Sequence, residues 1–99
     1  MPFTRQDLNE WLLDLPEVIY FDYYGNAMTG LRYQDQFAGR ILRVNDRVIR
    51  QADTFNGVEE HQAFWYKNSS GLIEIAVNKG NAGQQLDLEL GTEVSFKLI

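Results

Sequence analysis

The chain contains no cysteine and only one histidine among its 99 residues. Disulfides, thiolate zinc sites and cysteine nucleophiles are therefore excluded. With a single histidine and no nucleophile elbow, no Ser-His-Asp arrangement can be assembled. No P-loop is present, because no glycine precedes a Lys-Ser or Lys-Thr pair at the required spacing. Basic residues are also scarce, 9 Lys and Arg against 14 Asp and Glu, for a formal net charge of −5. Nucleic-acid affinity rests on clustered Lys and Arg, so no nucleic-acid partner is expected. Five arginines do fall between Arg32 and Arg50. They occupy alternate or turn positions and read as a solvated strand face. No apolar run approaches the ~20 residues that span a bilayer. Met1-Pro2-Phe3-Thr4-Arg5 is not a basic region leading into an apolar core, so no signal peptide is expected. A cytoplasmic setting without membrane contact follows as the expectation.

What is present is a strand-rich domain. Ninety-nine residues suit one domain, with 44% hydrophobic and 23% charged residues. Leu8, Trp11, Leu12 and Leu15 recur at helical spacing behind Thr4 and Asp7, which predicts a short helix over 5–15, stopped by Pro16. Beyond it the pattern predicts strands at Val18–Phe21, Ala27–Tyr33, Ile41–Val44, Arg47–Ile49, Ala63–Lys67, Leu72–Val77 and Val94–Ile99. Asn45-Asp46 is the clearest two-residue hairpin signal, and Asn81–Leu86 suits one helical turn. About seven short strands at close spacing predict an all-β fold with one short N-terminal helix, a small antiparallel β-barrel. Residues 1–16 read as an N-terminal helix or interdomain linker and 17–99 as the barrel domain.

Few residues offer chemistry. His61 lies in the polar stretch Val58–Gln62 and reads as an exposed loop histidine. A metal site with Glu59 or Glu60 is not expected, since strand neighbours two apart share a face and adjacent ones do not. Two clusters stand out. Asp22-Tyr23-Tyr24-Gly25-Asn26-Ala27-Met28-Thr29 sets a carboxylate, an aromatic ring and a carboxamide around one glycine. The plainer alternative is a hairpin turn in which Asn26 takes the left-handed conformation. Asn68–Ala82 is an apolar strand with a polar turn at each end, broken only by Glu74. It is either ordinary loop chemistry or the lining of a cleft at a barrel mouth.

Together these clusters resemble the carboxy-terminal domain of the S-adenosylmethionine (SAM) hydroxide adenosyltransferase family, relatives of the fluorinase and chlorinase enzymes. The family pattern Asp-x-aromatic-Gly-Asn-x-x-Thr is met by Asp22, Tyr24, Gly25, Asn26 and Thr29. A Thr-aromatic pair is met by Thr54-Phe55. The run Asn-Ser-Ser-Gly-x-x-Glu-Ile-Ala-x-Asn-x-Gly-Asn-Ala is met by Asn68 through Ala82. The similarity covers roughly residues 18–99. Gly30 stands where the family often has a second Asn, and Val58–Gln62 replaces a Pro-Gly-Glu-like stretch.

The resemblance implies a β-barrel that forms one wall of a SAM site. The other wall is the catalytic amino-terminal domain, contributed by another subunit of a homotrimer. It implies that Asn26 bonds adenine, that Tyr24 and Phe55 flank the ring, and that backbone groups near Val77 and Lys79 complete the adenine edge. Asp22 and Ser69, with Ser70 beside them, would hold the methionine end. SAM enters as substrate and no cofactor is implied. The family reaction, attack of water on the ribose 5′ carbon to give adenosine and methionine, draws its water-activating residues from the amino-terminal domain. No catalytic residue is therefore assigned here, and the chain alone is expected not to turn over substrate. A free-standing barrel serving as a binding or oligomerisation module is the alternative. Hydrolase and halogenase chemistry are not distinguished by this part of the family.

Overall fold

The computed structural model describes residues 14–53 and 57–96. Seven strands follow one another as β1 (Asp14–Phe21), β2 (Ala27–Arg32), β3 (Leu42–Val44), β4 (Arg47–Gln51), β5 (Ala63–Lys67), β6 (Leu72–Val77) and β7 (Ser95–Phe96). A 3-10 turn at Asp35–Phe37 and one short helix, α1 (Ala82–Gln85), complete the elements. The strands form one sheet in the order β1-β2-β6-β5-β4-β3-β7. The two ends of that order meet. Glu17 bridges Glu93, Val18 N donates to Thr92 O at 2.9 Å, and Val94 N donates to Pro16 O at 2.9 Å. The outer edge of β1 is thus occupied by the segment leading into β7, giving a nearly closed barrel with little exposed strand edge.

The hairpin at Asn45-Asp46 forms as its residue types dictate. Their φ values of 48° and 63° are those of a two-residue turn whose twist suits antiparallel strands. Every strand pairing but one is antiparallel. β4 and β5 run parallel, Arg50 opposite Phe64 and Gln51 opposite Trp65, joined by a connection with no helix among its described residues. The seven-stranded, mostly antiparallel barrel expected from sequence is thus met, with this one parallel pair inside it. The pairing is between segments more than ten residues apart, which strand periodicity does not report.

The N-terminal expectation also changes. Asp14 and Leu15 open β1 rather than close a helix, and Pro16 lies within the strand. A register irregularity between Leu15 and Val18 accommodates the proline, which has no N–H to give to a ladder. Residues 5–13 of the expected helix lie outside the described residues.

The core is built on β6, whose six residues are all buried. Ile73, Ile75 and Val77 join Val18, Leu42, Ile49 and Trp65 in the barrel interior. Trp65 is fully enclosed, donates Nε1–H to Arg40 O at 3.0 Å and meets Phe96 edge-on at 4.8 Å. Burying a side chain of that size contributes more than the roughly 1.5–3 kcal/mol typical of Leu or Ile. Alternation puts Leu72, Glu74 and Ala76 on the opposite face of β6. There Glu74 is flanked by Met28 of β2 and Tyr66 of β5. Thr29, fully buried, donates its hydroxyl to Ile73 O at 2.8 Å and accepts Leu31 N–H at 3.2 Å. It stitches β2 to β6 where their register slips between Met28 and Arg32.

Candidate functional site

Two turns remote in sequence meet at one cleft. The first joins β1 to β2. Asp22 Oδ1 accepts Tyr24 N–H and Asn26 N–H, each at 2.9 Å, and Gly25 N donates to Asp22 O at 3.0 Å. An aspartate side chain folding the backbone after it in this way is favoured chemistry for a turn. The left-handed residue is Gly25, at φ +84°, and not Asn26, which corrects the plainer reading of this motif. Asn26 is thereby left in ordinary geometry, with no bond to its carboxamide from the described residues.

The second turn follows β6. Lys79 takes a left-handed φ of 57°, and Gly80 N donates to Val77 O at 3.1 Å. Asn81 then caps α1, its Oδ1 accepting Gln84 N–H at 2.9 Å. The two turns are locked together. Gly83 N donates to Gly25 O at 3.0 Å, and a Cβ on Gly25 would stand 2.2 Å from Asn81 Cγ. The carboxamide of Asn81 therefore lies directly over the Gly25 α-carbon, a closeness only glycine permits.

A third segment braces this region from behind. Asn78 donates Nδ2–H to Val58 O at 2.7 Å, and His61 N donates to Asn78 O at 2.7 Å. Gln85 Nε2 donates to His61 O at 2.7 Å. His61 contributes here through its backbone, at φ 66°, while its exposed ring stands 3.7 Å from Glu60. No group of three or more His, Asp or Glu side chains suited to a metal occurs among the described residues.

The resulting cleft measures about 790 Å³, within the range typical of small-molecule sites. Asp22, Tyr24 and Asn26 line it from the first turn, and Val77, Lys79, Gly80 and Asn81 from the second. Tyr66 and Glu74 line it from the β5–β6 ladder. Tyr66 and Glu74 meet the cleft from the face of that ladder opposite the core, and Val77 meets it at the end of β6, where that strand also joins the core. Five of the residues singled out from sequence thus share it: Asp22, Tyr24, Asn26, Val77 and Lys79. Ser69 and Ser70 do not line it. They sit exposed in the β5–β6 turn, which Asn68 organises by accepting Ser70 N–H at 2.9 Å and Leu72 N–H at 3.0 Å through Oδ1. Phe55 lies outside the described residues.

Tyr66, Glu74 and Asn81 were not singled out as site residues. Glu74 carried a signal, as the one charge in an otherwise apolar strand. It is buried, with Oε1 accepting from Asn68 Nδ2 at 3.0 Å and Oε2 accepting the hydroxyl of Tyr66. Burial above all, then the hydrogen bond to Glu74, the charge of Glu74 and that of Asp22, push the Tyr66 phenol well above its ordinary value. Tyr24 is largely exposed, with Tyr23 edge-on to it at 5.4 Å.

Comparison with known proteins agrees with this fold. The chain is 38% identical over 78 residues to the (R)-S-adenosyl-L-methionine hydrolase of Thermus thermophilus, a match covering 79% of the chain and 30% of that protein. The crystal structure of a conserved hypothetical protein from Thermus thermophilus has the same fold at TM-score 0.77 and 36% identity, over 87% of this chain and 37% of that one. An uncharacterised conserved protein from Thermotoga maritima matches at TM-score 0.70 and 27% identity, over 83% and 35% respectively. The chain spans about a third of the length of these relatives. Residues 16–95 match the family described as the SAM hydroxide adenosyltransferase C-terminal domain, and the chain belongs to that family.

Proposed function

We propose that this domain forms the nucleoside-holding wall of a SAM site whose reacting groups come from a separate amino-terminal domain. The observation that carries the reading is the convergence of the Asp22–Asn26 and Val77–Asn81 turns on one cleft. A carboxamide offers a donor and an acceptor that suit the N6 and N7 edge of adenine, and Asn26 supplies one. Tyr24 supplies an exposed ring for stacking, an interaction worth about 1–3 kcal/mol per base in nucleic-acid systems. Phe55 is the second stacking residue in this reading, and Ser69 and Ser70 approach the methionine end once the other wall is in place.

The relative named as a SAM hydrolase favours water as the nucleophile. An oxygen–C5′ bond forms as the C5′–sulfur bond breaks, with its electron pair leaving on the methionine sulfur. The water loses a proton to a group of the other domain. Adenosine and methionine result. In this reading the complete site lies between subunits of a trimer, the setting is cytoplasmic, and no cofactor is used.

The test is calorimetric titration of the chain with adenosine. Asn26→Ala is expected to weaken binding about tenfold, the cost of losing a hydrogen-bonding partner in a largely desolvated site. Its circular dichroism should match the parent's. Equal affinities in the two proteins would remove Asn26 from the site, and an unfolded variant would make it a structural turn residue.

A further inference from the structure

The hydrogen bonding beneath the cleft fixes the polarity of a side chain that lines it. Asn68 Oδ1 is taken up by two backbone N–H groups, Ser70 and Leu72, so its Nδ2 must point the other way, into Glu74 Oε1. The second oxygen of Glu74 accepts the hydroxyl proton of Tyr66. Both carboxylate oxygens are therefore acceptors in use, and Glu74 is nine-tenths buried. A phenol has one proton. With that proton committed inward, Tyr66 Oη can only accept from the cleft it lines. Asp22, on the same cleft, has spent Oδ1 on two backbone N–H groups and offers Oδ2, again an acceptor. The lining donors are the Tyr24 hydroxyl, Asn26, Lys79, Asn81 and backbone groups.

We propose that Tyr66 is a further ligand-contacting residue of this cleft, accepting a hydrogen bond from the amino group of the ligand's amino-acid end, and that Glu74 is the positioning residue that keeps the tyrosine an acceptor. The inference rests on the nucleoside reading above and deepens it, because it makes the cleft selective for a nucleoside carrying a cationic donor. One carboxylate bonded to the phenol oxygen and a second, Asp22, on the same cleft favour a charged donor over a neutral hydroxyl, since hydrogen bonds to an ionised group are about twice as strong.

Substitution at Glu74 has a distinctive consequence. In Glu74→Gln the new carboxamide meets Asn68 Nδ2, whose orientation cannot reverse. It must therefore turn its oxygen to Asn68 and its Nε2 toward Tyr66. The tyrosine then accepts from below and its own proton swings into the cleft, changing it from acceptor to donor. A cationic group should be repelled where it was held.

The experiment measures affinity for SAM and for 5′-methylthioadenosine, which lacks the amino-acid end, in the parent chain, Tyr66→Phe and Glu74→Gln. The parent should prefer SAM. Tyr66→Phe should cut that preference about tenfold while leaving 5′-methylthioadenosine within about twofold, and Glu74→Gln should cut it at least as far. A purely structural role would weaken both ligands together. If the parent binds both ligands and Tyr66→Phe keeps its preference, the inference is overturned and the nucleoside reading stands. If the parent binds neither, both fall. Should Glu74→Gln not fold, Tyr66→Phe decides alone, since it removes one oxygen from a half-buried ring.

Discussion

Replacing Gly25 with alanine tests whether the two cleft-forming turns are held by the contact between Gly25 and Asn81. The backbone at Gly25 has φ +84°, and an L-residue in the left-handed region costs about 1–2 kcal/mol. The added methyl would also stand 2.2 Å from Asn81 Cγ and 2.3 Å from both terminal atoms of that carboxamide. The side chain must move, and with it goes the bond that caps α1 at Gln84 N. Losing a good N-cap costs about 1 kcal/mol. The sum is about 2–3 kcal/mol, a large share of the roughly 5–15 kcal/mol that holds a typical domain. Urea denaturation reads this as a lowered midpoint at unchanged slope. The decisive comparison is Gly25→Ala combined with Asn81→Gly. Glycine at an N-cap costs only a few tenths of a kcal/mol, and it removes the obstacle. The pair should therefore be less destabilised than the sum of the singles by about 1 kcal/mol. Additive costs, or a Gly25→Ala effect below about 0.5 kcal/mol, would refute the lock.

Three further outcomes follow from local geometry. Asp46→Gly should stabilise the chain by about 0.5–1 kcal/mol, because Asp46 holds φ 63° in the β3–β4 turn and glycine holds it freely; a lower midpoint in urea would contradict the turn assignment. Thr29→Val should cost about 1–3 kcal/mol by leaving Ile73 O and Leu31 N without their partner in the core, and an unchanged midpoint would show that water or a backbone shift replaces the hydroxyl. The folded Tyr66 phenol holds its proton more tightly than the unfolded one. Its contribution is therefore complete below the ordinary tyrosine value of about 10 and declines as pH rises above it, where the unfolded chain ionises first. Tyr66→Phe should flatten the alkaline loss of stability measured by denaturation at several pH values, and parallel curves would contradict the rise that burial, then the bond to Glu74, give the phenol.

Much of the barrel could be read from local pattern. β-Branched and aromatic runs mark β5 and β6, and Asn45-Asp46 marks the tightest hairpin, because those signals depend on near neighbours. The one helical turn expected over Asn81–Leu86 is met by α1 for the same reason. What sequence did not reveal depends on distant partners. Pro16 reads as a helix stop until the bulge in β1 and its partner Val94 are seen. The parallel pairing of β4 with β5 has no local signature. The motif around Gly25 was visible, yet its left-handed residue was misplaced by one position, since glycine and asparagine both tolerate that conformation. In the cleft, the family resemblance, and not spacing alone, pointed to Asp22, Tyr24, Asn26, Val77 and Lys79. It did not find Tyr66, because only the cross-strand register beside Glu74 turns an aromatic strand residue into part of the lining.

The most direct test of the central claim is an amide chemical-shift titration of the chain with adenosine and with SAM. The account predicts shifts concentrated at Asp22–Ala27 and Val77–Asn81, spreading to Tyr66 and Glu74 with SAM, and needing about tenfold more ligand in Asn26→Ala. Shifts scattered over the barrel, or none at millimolar ligand, would contradict the claim that this cleft is a nucleoside wall.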